Sequence, residues 1–385
     1  MTPRLPFRHA IERYGTIRRK HILRSPAWTK LASAGVCACL AWLPVPASAS
    51  DGRADSLLPA PGLRLRFGTG RVAGNKPELS PITPDVPEPI SSWYVAQWQH
   101  RRFLDARTTL DAAQQRRDPE LGTPLQAYAT PDGALRLLIY REPKRSEPVY
   151  ELFEQGGLLE AGGGNLFLST EVPPRAHADF SRPITYELRA KIASAGVTYD
   201  SASASAGGTV LAQAFSGFVI DFRAPDGKQA GTLFLQIPIS GSHEPQRRYR
   251  NCNARGDVLS IVANQSLPQQ KLLPFRAASG LLQPMRYLLN AYLLAVLAGP
   301  MDCRDEHGRA FGLASVPGAL RPGNWTLSGI YVGLESQSQD LHHGLEVPHG
   351  SVRIGLQVAG IRMRRDAAYD APSAPSCPAA SCPAP

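Results

Sequence analysis

Two stretches of alternating apolar and polar residues near the end of the chain constrain its fold most strongly. They read TLSGIYVGLE (326–335) and SVRIGLQVAGIRM (351–363), and a polar loop with three histidines joins them. Apolar side chains at every second position are typical of a strand with one buried face and one solvated face. We predict that the two stretches pair as a long hairpin near the end of an antiparallel sandwich, with Glu335 at one edge.

The rest of the chain shows the same strand pattern, interrupted by turn sequences. Alternating segments lie at 93–99, 125–142, 148–155, 165–170, 184–192, 209–239 and 256–264. Pro-Asp-Gly sequences at 131–133 and 225–227 predict tight turns inside two hairpins. The segment PMRYLLNAYLLAVLAGP (284–300) predicts a helix, with proline at its start and Gly-Pro at its end. It is too short to span a membrane.

Composition divides the chain into four regions. Residues 1–49 have the pattern of a signal peptide, 50–90 are a Pro-rich lead-in, 91–366 carry the strand pattern, and 367–385 are a Pro/Ala/Ser-rich tail. We expect the tail to be disordered because it has too few large apolar residues to bury. The sequence therefore predicts one β-sandwich domain over 91–366.

The strand rhythm resembles that of concanavalin A-like or jelly-roll β-sandwiches of carbohydrate-active proteins. The resemblance rests on WYVAQWQ (93–99), on the helical segment and on the two final alternating stretches. It implies a mainly β, antiparallel sandwich of jelly-roll (concanavalin A-like) type with one packed helix. It also implies a polysaccharide ligand, because bacterial proteins of this architecture often bind or cleave polysaccharide.

The first 49 residues have the features of a bacterial export signal. Eight Lys and Arg residues accompany the apolar run LASAGVCACLAWLPV (31–45), and Ala47-Ser48-Ala49 follows as a cleavage sequence. The apolar run is shorter than the roughly 18 residues of a membrane span. We expect cleavage after Ala49, a periplasmic or extracellular location, and no transmembrane span in the mature chain. A twin-arginine signal at Arg18-Arg19 and a lipidated Cys39 are the alternatives.

Most of the positive charge of the chain lies in this signal segment. It carries eight of the 42 Lys and Arg residues but one of the 32 Asp and Glu residues. The remaining chain is nearly balanced in charge, and no basic stripe interleaved with aromatic residues is left to bind a phosphate backbone. We therefore expect no nucleic-acid partner.

Four of the six cysteines follow the signal, at Cys252, Cys303, Cys377 and Cys382. An exported chain meets an oxidising environment, so an even number of cysteines predicts disulfides. Three connectivities are possible, and we favour one bond across the body of the domain and a second within the tail. Close Cys-x-x-Cys pairs, which zinc sites use, are absent from the sequence.

Sugar-binding surfaces combine flat aromatic faces, which stack on sugar C–H groups, with planar polar groups that bind hydroxyls. The candidate ligand-binding residues on the predicted strands are Trp93, Gln97, Trp98, Trp325 and Tyr331. Alternation puts Trp93 and Gln97 on one face of their strand and Tyr94 and Trp98 on the other. Taken singly, each aromatic residue fits the core of a sandwich better than a ligand site. The two opposed tryptophans nevertheless predict one aromatic residue on the face away from the core.

Cleavage of a glycosidic bond needs two carboxylates that face each other across a cleft. Glu335 is the first candidate acid, and Glu151, Glu154 and Asp221 are the candidate partners. Several jelly-roll hydrolases carry an acid/base glutamate at a similar Gly-x-Glu strand end, and the resemblance implies that role for Glu335. The Glu-x-Met-x-Trp strand that usually carries the nucleophile is missing here, and a solvated strand end is the alternative for Glu335.

A polysaccharide lyase would instead use a base such as histidine, with a nearby glutamine or arginine that neutralises the acidic sugar. The segment WYVAQWQH offers Gln97, Gln99 and His100. It is similar to the Gln-Trp-His strand of some jelly-roll polysaccharide lyases, but here the third residue is Gln99 and the histidine follows it. A shift of one residue reverses the face of a strand, so His100 is only a candidate base.

Metal ions and cofactors receive little support from the sequence. The residues His342, His343, Glu346 and His349 lack helical spacing, and adjacent residues of an extended chain point apart. Calcium could be held by the loop residues Asp302, Asp305 and Glu306, but the EF-hand pattern is absent. Phosphate-loop, dinucleotide and Gly-x-Ser-x-Gly motifs are also absent, so we expect no cofactor.

These observations favour an exported β-sandwich that recognises a polysaccharide or surface glycan. A glycoside hydrolase or lyase of the same fold is the first alternative, and a structural or adhesion protein without a small ligand is the second. The fold alone cannot separate them, because this sandwich carries many unrelated activities.

Overall fold

The computed structural model describes residues 56–69, 78–79, 90–98, 100, 102–110, 117–143, 145, 147–157, 163–173, 176, 178–199, 208–242, 250–340 and 350–365. Within these ranges, seventeen strands and one α-helix form two β-sheets that pack face to face. The predicted export signal and the cysteine-containing tail lie outside the described residues.

The larger sheet has eleven strands in the described part of the chain. Their order across the sheet is β15 (Ala310–Phe311), β14 (Asp302–Arg304), β11 (Arg250–Arg255), β12 (Val258–Asn264), β10 (Gln229–Gly241), β9 (Gly208–Arg223), β16 (Trp325–Asp340), β7 (Gly163–Glu171), β3 (Ile90–Trp98), β1 (Arg64–Thr69) and β2 (Glu78–Leu79). The long neighbours β10, β9, β16 and β7 are antiparallel.

The smaller sheet has six strands among the described residues, and its neighbouring strands are all antiparallel. Their order is β13 (Gln283–Leu288), β8 (Ile184–Tyr199), β17 (Gly350–Arg365), β6 (Pro148–Gly157), β5 (Leu135–Arg141) and β4 (Gln126–Ala129). The helix α1 (Leu289–Ala298) follows β13 and buries five of its residues. These features confirm the predicted mainly β sandwich with one packed helix.

The side chains that point between the sheets form one continuous core. Phe218, Ile220 and Phe222 project from β9 into it, and Leu152 and Val358 meet them from the smaller sheet. All five are at most 1% exposed. Each contributes about 1.5–3 kcal/mol of transfer free energy when it leaves water. Alternation along every long strand is therefore the main source of the sandwich's stability.

The two final strands lie in different sheets, so the predicted hairpin is wrong. Strand β16 pairs with β7 and β9 in the larger sheet, whereas β17 pairs with β6 and β8 in the smaller one. Alternation reveals which face of a strand is buried but not which strand donates its hydrogen bonds. Two strands that face each other across a core therefore show the same pattern as a hairpin.

The predicted helix is shorter than its sequence pattern indicates. Residues Gln283–Leu288 form β13, which pairs with β8, and the helix begins at Leu289. Pro284 is tolerated because β13 is the last strand of its sheet and needs hydrogen bonds on one side only. Tyr287 packs inward against Tyr186, with ring centroids 6.0 Å apart. Pairing with β8 and the cross-strand packing of Tyr287 on Tyr186 override the helical periodicity of the segment.

The two Pro-Asp-Gly sequences form the predicted turns. Gly133 and Gly227 have φ angles of 69° and 80°, in the left-handed region. Glycine adopts this region without steric penalty because it has no Cβ atom. The turns join β4 to β5 and β9 to β10, as the sequence predicts.

The Cys252–Cys303 disulfide is formed, as predicted, and links residues 51 apart in sequence. The two cysteines are direct partners on the parallel neighbours β11 and β14. Both are buried against the sandwich core. Cys377 and Cys382 lie outside the described residues. Across the described residues, no helix combines the length and the apolar character that a membrane span requires.

We expect the double substitution Cys252→Ala/Cys303→Ala to lower the free energy of unfolding by about 4 kcal/mol, because the disulfide restricts a long loop of the unfolded chain. Urea unfolding of the oxidised wild type and of the variant would measure the difference.

The matched control is Cys377→Ala/Cys382→Ala, which removes two cysteines outside the described residues. We expect it to change the unfolding free energy by less than about 0.5 kcal/mol, in line with the disordered tail that the sequence predicts. Equal losses in the two double variants would contradict a specific role for the Cys252–Cys303 bond.

Candidate functional site

The central strands of the larger sheet turn one face away from the core, here called the outer face of the larger sheet. Residues on this face alternate with core residues along β7, β16 and β9. Three rows of cross-strand partners define its centre: Ser169–Tyr331–Gly217, Phe167–Gly333–Phe215 and Asn165–Glu335–Gln213. Tyr331 and Glu335, both predicted from sequence, therefore lie on one face two rows apart.

Three aromatic rings form a layer on this outer face. Phe167 and Tyr331 pack edge to face with ring centroids 5.2 Å apart, and Phe215 lies 5.2 Å from Phe167 and 5.9 Å from Tyr331. The ring of Tyr331 covers Gly217, where a Cβ atom would overlap it. Gly217 therefore allows the ring to lie against the sheet. The two phenylalanines are buried, whereas Tyr331 is partly exposed.

Planar polar groups lie directly beside the aromatic layer. The side-chain amide of Gln213 donates a hydrogen bond of 2.6 Å from Nε2 to Oε2 of Glu335. On the other side of Gly217, Gln236 of β10 faces Asn264 of β12. Amide and carboxylate groups can bind hydroxyls in a bidentate manner. The outer face thus combines aromatic and planar polar groups within a few strands.

No facing carboxylate accompanies Glu335 on this face among the described residues. Glu171 is opposite Gly329, six residues along β16 from Glu335, and Asp221 is opposite Thr326, nine residues away. At a rise of about 3.3 Å per residue these separations are roughly 20 and 30 Å. Glycoside hydrolysis requires carboxyl groups no more than about 10 Å apart. Asp221 therefore cannot act with Glu335 as the sequence suggested.

Glu151 lies on the outer face of the smaller sheet, on the other side of the sandwich from Glu335. Its cross-strand partner is Gln357 of β17, whose other neighbour is Lys191 of β8. The Nε2 atom of Gln357 donates hydrogen bonds of 2.7 Å to Glu151 Oε2 and 2.9 Å to Asp118 Oδ2. The amide of Gln357 therefore bridges the two carboxyl groups. Glu151 therefore has a carboxylate partner, but that partner is Asp118.

The environments of these two carboxyl groups push their pKa values in opposite directions. Burial raises the pKa of Glu151 and outweighs the hydrogen bond from Gln357. Burial also acts to raise the pKa of Asp118, but hydrogen bonds from Gln357 and from the backbone of Leu121 and Glu120 outweigh it, so the pKa is lowered. A pair with separated pKa values can hold one proton donor and one ionised carboxylate at the same pH.

A second buried acid, Glu154, lies between the sheets beneath the strand end that carries Glu335. It is 1% exposed, and its one hydrogen-bond partner among the described residues is the hydroxyl of Ser336 on the opposite sheet. Its Oε2 atom has no partner there. Burial raises the pKa of Glu154 to about 7. Glu154 therefore faces the core and cannot reach the outer face where Glu335 lies.

His100 lies beside this buried acid. A Cβ atom at Gly164 would contact both Glu154 and the imidazole ring, so these two side chains share the space that the glycine leaves. The Nε2 atom of His100 accepts a hydrogen bond of 3.0 Å from the backbone N–H of Asn165, which requires that nitrogen to be unprotonated. Burial lowers the pKa of His100 to about 4. The candidate lyase base is thus half-buried, and its Nε2 atom is already used by the backbone of Asn165.

Three predicted ligand-binding residues point into the core. Trp93 and Trp325 are fully buried, and their indole nitrogens donate to the carbonyl oxygens of Pro59 and Ala319 at 2.9 and 2.8 Å. The side-chain amide of Gln97 forms two hydrogen bonds with the backbone of Leu104. Its Nε2 atom donates to the carbonyl oxygen at 2.6 Å, and its Oε1 atom accepts from the N–H at 2.9 Å. Because their side chains are buried, these three residues are not part of an accessible ligand surface.

The remaining candidates are only partly described. The side chain of Trp98 lies outside the described residues, as do Gln99, His342, His343, Glu346 and His349. Asp305 accepts hydrogen bonds from Arg309 and from the backbone of His307, so a turn and an ion pair already use its oxygens. Across the described residues, no group of three or more His, Cys, Asp or Glu side chains could hold a metal ion.

Several residues of these two outer faces carry little signal in the sequence. Phe215 is a typical core residue by type, whereas Phe167 lies in the apolar run Leu166-Phe167-Leu168, which interrupts the alternation and indicates a strand covered on both faces. Asp118 and Gln357 lie 239 residues apart and meet only when the fold brings a turn onto β17. The sequence signal for Asp118 is limited to its place beside Pro119 in a turn sequence.

Neither a protein-family model nor a curated protein matches the chain. Among solved structures, the chain is similar to the family 11 xylanase from Neocallimastix patriciarum, with 7% identity over 63% of this chain and 90% of that chain and a TM-score of 0.28. A cellulase derived from that of Rhodothermus marinus shows 12% identity over 62% of this chain and 95% of that chain, with a TM-score of 0.23. At these TM-scores the similarity carries no argument about this chain.

We expect Glu154→Gln to stabilise the protein more at pH 8 than at pH 5. The wild type loses stability as the pH rises from 4.5 through about 7, because its buried carboxyl group is held protonated while the unfolded chain ionises. Glutamine does not titrate, so the difference between the proteins should grow by about 3 kcal/mol across this range. Urea unfolding at both pH values would measure it.

The control for this prediction is Glu306→Gln, which removes an exposed carboxylate from the turn before β15. Its effect should stay within about 0.5 kcal/mol at both pH values. Protonation of His100 destabilises the fold as the pH falls below 6.5, but this occurs in both proteins and cancels in the comparison. A pH-independent effect of Glu154→Gln would show that the buried carboxyl group does not titrate as expected.

Proposed function

We propose that the protein is exported and binds a polysaccharide or surface glycan across the outer face of the larger sheet. The observation that carries this proposal is the partly exposed Tyr331 ring lying against Gly217, with the Glu335–Gln213 pair two rows away. An aromatic ring held flat offers its face to the C–H groups of a sugar. The adjacent carboxylate and amide offer acceptors and donors to the hydroxyls.

The layer of Phe167, Phe215 and Tyr331 holds the proposed sugar-binding ring in place. Phe167 and Phe215 are 0% and 1% exposed, so they pack beside Tyr331 and do not themselves reach a ligand. Tyr331 is partly exposed, and it is therefore the ring of this layer that is open to a sugar.

We expect Tyr331→Ser to weaken retention in polysaccharide affinity gels about fivefold, because one aromatic contact contributes about 1 kcal/mol. The control is Tyr331→Phe, which keeps the ring on Gly217 and should retain most of the binding. Affinity gels with neutral and acidic polysaccharides would measure both variants against the wild type. Equal retention of wild type and Tyr331→Ser on every polysaccharide would overturn the proposed surface.

A second candidate function, glycan hydrolysis, is favoured by the bridged pair Asp118 and Glu151. In this reaction the ionised Asp118 attacks the anomeric carbon while the protonated Glu151 donates its proton to the leaving oxygen. Water then breaks the resulting ester as Glu151 takes up a proton, which yields two sugar chain ends. The lowered pKa of Asp118 suits an ionised nucleophile, and the raised pKa of Glu151 suits a proton donor.

If the pair cleaves glycans, we expect Asp118→Asn and Glu151→Gln each to reduce the release of reducing ends by about a hundredfold or more. Activity should fall as the pH rises through the raised pKa of Glu151 and as it drops through the lowered pKa of Asp118. The matched control is Glu187→Gln, on β8 of the same sheet. Reducing ends released equally by all three variants would exclude the pair as the catalytic group.

A further inference from the structure

A cavity of about 360 Å³ opens at the edge of the smaller sheet, between β8 and the segment that precedes β13. Its volume lies within the range of small-molecule sites, about 300–1,000 Å³. Lys191, Arg276, Ser279 and Gln283 supply its polar lining, and Ile192 and Leu273 are among its apolar walls. Among the described residues that line it, none is acidic. The cavity therefore combines positive charge, neutral polar groups and an apolar wall.

The walls of the cavity are held by backbone hydrogen bonds. Leu273 donates to the carbonyl of Ile239 at 2.8 Å, and Ala278 donates to the carbonyl of Ile192 at 2.9 Å. These bonds attach the segment 273–278 at both ends, once to each sheet. The cavity is therefore a preformed feature of the fold, which lowers the entropy lost when a ligand binds.

The buried cation of the cavity is Lys191, whose side chain is 7% exposed. Its ammonium group contacts Glu120 Oε2 at 3.2 Å and donates to the carbonyl of Gly280 at 3.1 Å. The other Glu120 oxygen accepts from the Gly280 backbone at 2.6 Å. An ammonium group has three N–H donors, so one remains after these two contacts. Glu120 thus fixes the position of Lys191 while leaving it a donor for a further acceptor.

Arg276 makes the charge of the cavity positive. Its side chain forms no ion pair and no hydrogen bond with the described residues, and the side chains of Ser279 and Gln283 likewise have no such partner there. A guanidinium group binds a carboxylate through two parallel N–H donors. Arg276 and the remaining donor of Lys191 are therefore the charged groups of the lining that can bind a carboxylate, with the neutral polar groups left for hydroxyls.

We propose that this cavity binds the carboxylate of a uronic acid residue. The sugar part of this proposal rests on the proposed glycan function, whereas the carboxylate part rests on Lys191 and Arg276 alone. Ile192 and Leu273 are 1% and 6% exposed and add little accessible surface, so the sugar part depends on Ser279 and Gln283 as partners for hydroxyls. Lys191 also neighbours Gln357, so an acidic sugar in the cavity would lie on the same face as the Asp118–Glu151 pair. The ligand class is thus an acidic rather than a neutral glycan.

Titration of the isotope-labelled protein with D-glucuronate, followed by NMR, tests the proposal. We expect saturable shifts of the amide signals of Ala278 and Ser279, no shifts with D-glucose, and weaker binding at higher salt because exposed charges are screened. Acetate should bind through the same amides but more weakly, because it lacks the sugar ring. No saturable shifts with glucuronate would overturn the site, and equal affinity for acetate and glucuronate would overturn the sugar assignment.

Variants separate the two cations from general charge effects. Arg276→Gln, at an exposed position, should weaken glucuronate binding about fivefold without altering the fold. Glu120→Gln should tighten binding, because it removes the carboxylate that competes for Lys191 but keeps the acceptor for Gly280. The matched control is Lys228→Met, an exposed lysine in the β9–β10 turn, which should leave the affinity unchanged. Equal losses in Arg276→Gln and Lys228→Met, or weaker binding in Glu120→Gln, would contradict the proposal.

This test is independent of the polysaccharide gels that probe Tyr331. Loss of gel retention in Tyr331→Ser together with unchanged glucuronate titration would support both sites separately. Glucuronate binding in the cavity without any retention of polysaccharide would leave the carboxylate site intact and overturn the glycan surface on the larger sheet.

Discussion

The burial of one face of each long strand between the two sheets is the constraint on which the rest of the structure depends. It places Trp93, Gln97 and Trp325 inside, where their polar atoms bond the backbone. It also determines which residues remain outside, because a strand that points one side chain inward must point the next one outward. The candidate sites are therefore formed by the outward-pointing residues of the two sheets, and they lie on opposite sides of one core.

The outer faces of the two sheets carry side chains of different chemistry. The larger sheet presents an aromatic layer that glycine residues allow to lie against the backbone, next to a single hydrogen-bonded acid, Glu335. The smaller sheet presents paired carboxylates, a bridging amide and a buried lysine. The first arrangement suits the recognition of a sugar surface, and the second suits acid–base chemistry or the binding of a charged group. The two sheets therefore support different tasks within one domain.

The acids illustrate how environment separates residues of one type. Glu154 and Glu151 alternate along β6, so Glu154 points into the core and Glu151 points to the outer face. Burial raises the pKa of both. Glu154 has one hydroxyl partner across the sheets, whereas Glu151 shares an amide with Asp118. A glutamate side chain thus forms a buried contact between the sheets at position 154 and belongs to a pair of carboxyl groups three residues earlier, at position 151.

The sequence alone determined the class of fold, because alternation and Pro-Asp-Gly turns are local properties that each strand and hairpin carries by itself. It also determined the opposite directions of Trp93 and Tyr94, and it favoured one of three possible cysteine pairings, of which the structure contains the Cys252–Cys303 bond. Only the tertiary structure decided that β16 and β17 belong to different sheets, since hydrogen-bond partners are not encoded in alternation. It likewise decided that Glu151 meets Asp118 rather than Glu335, because residues far apart in sequence become neighbours only when the order of strands across each sheet is set.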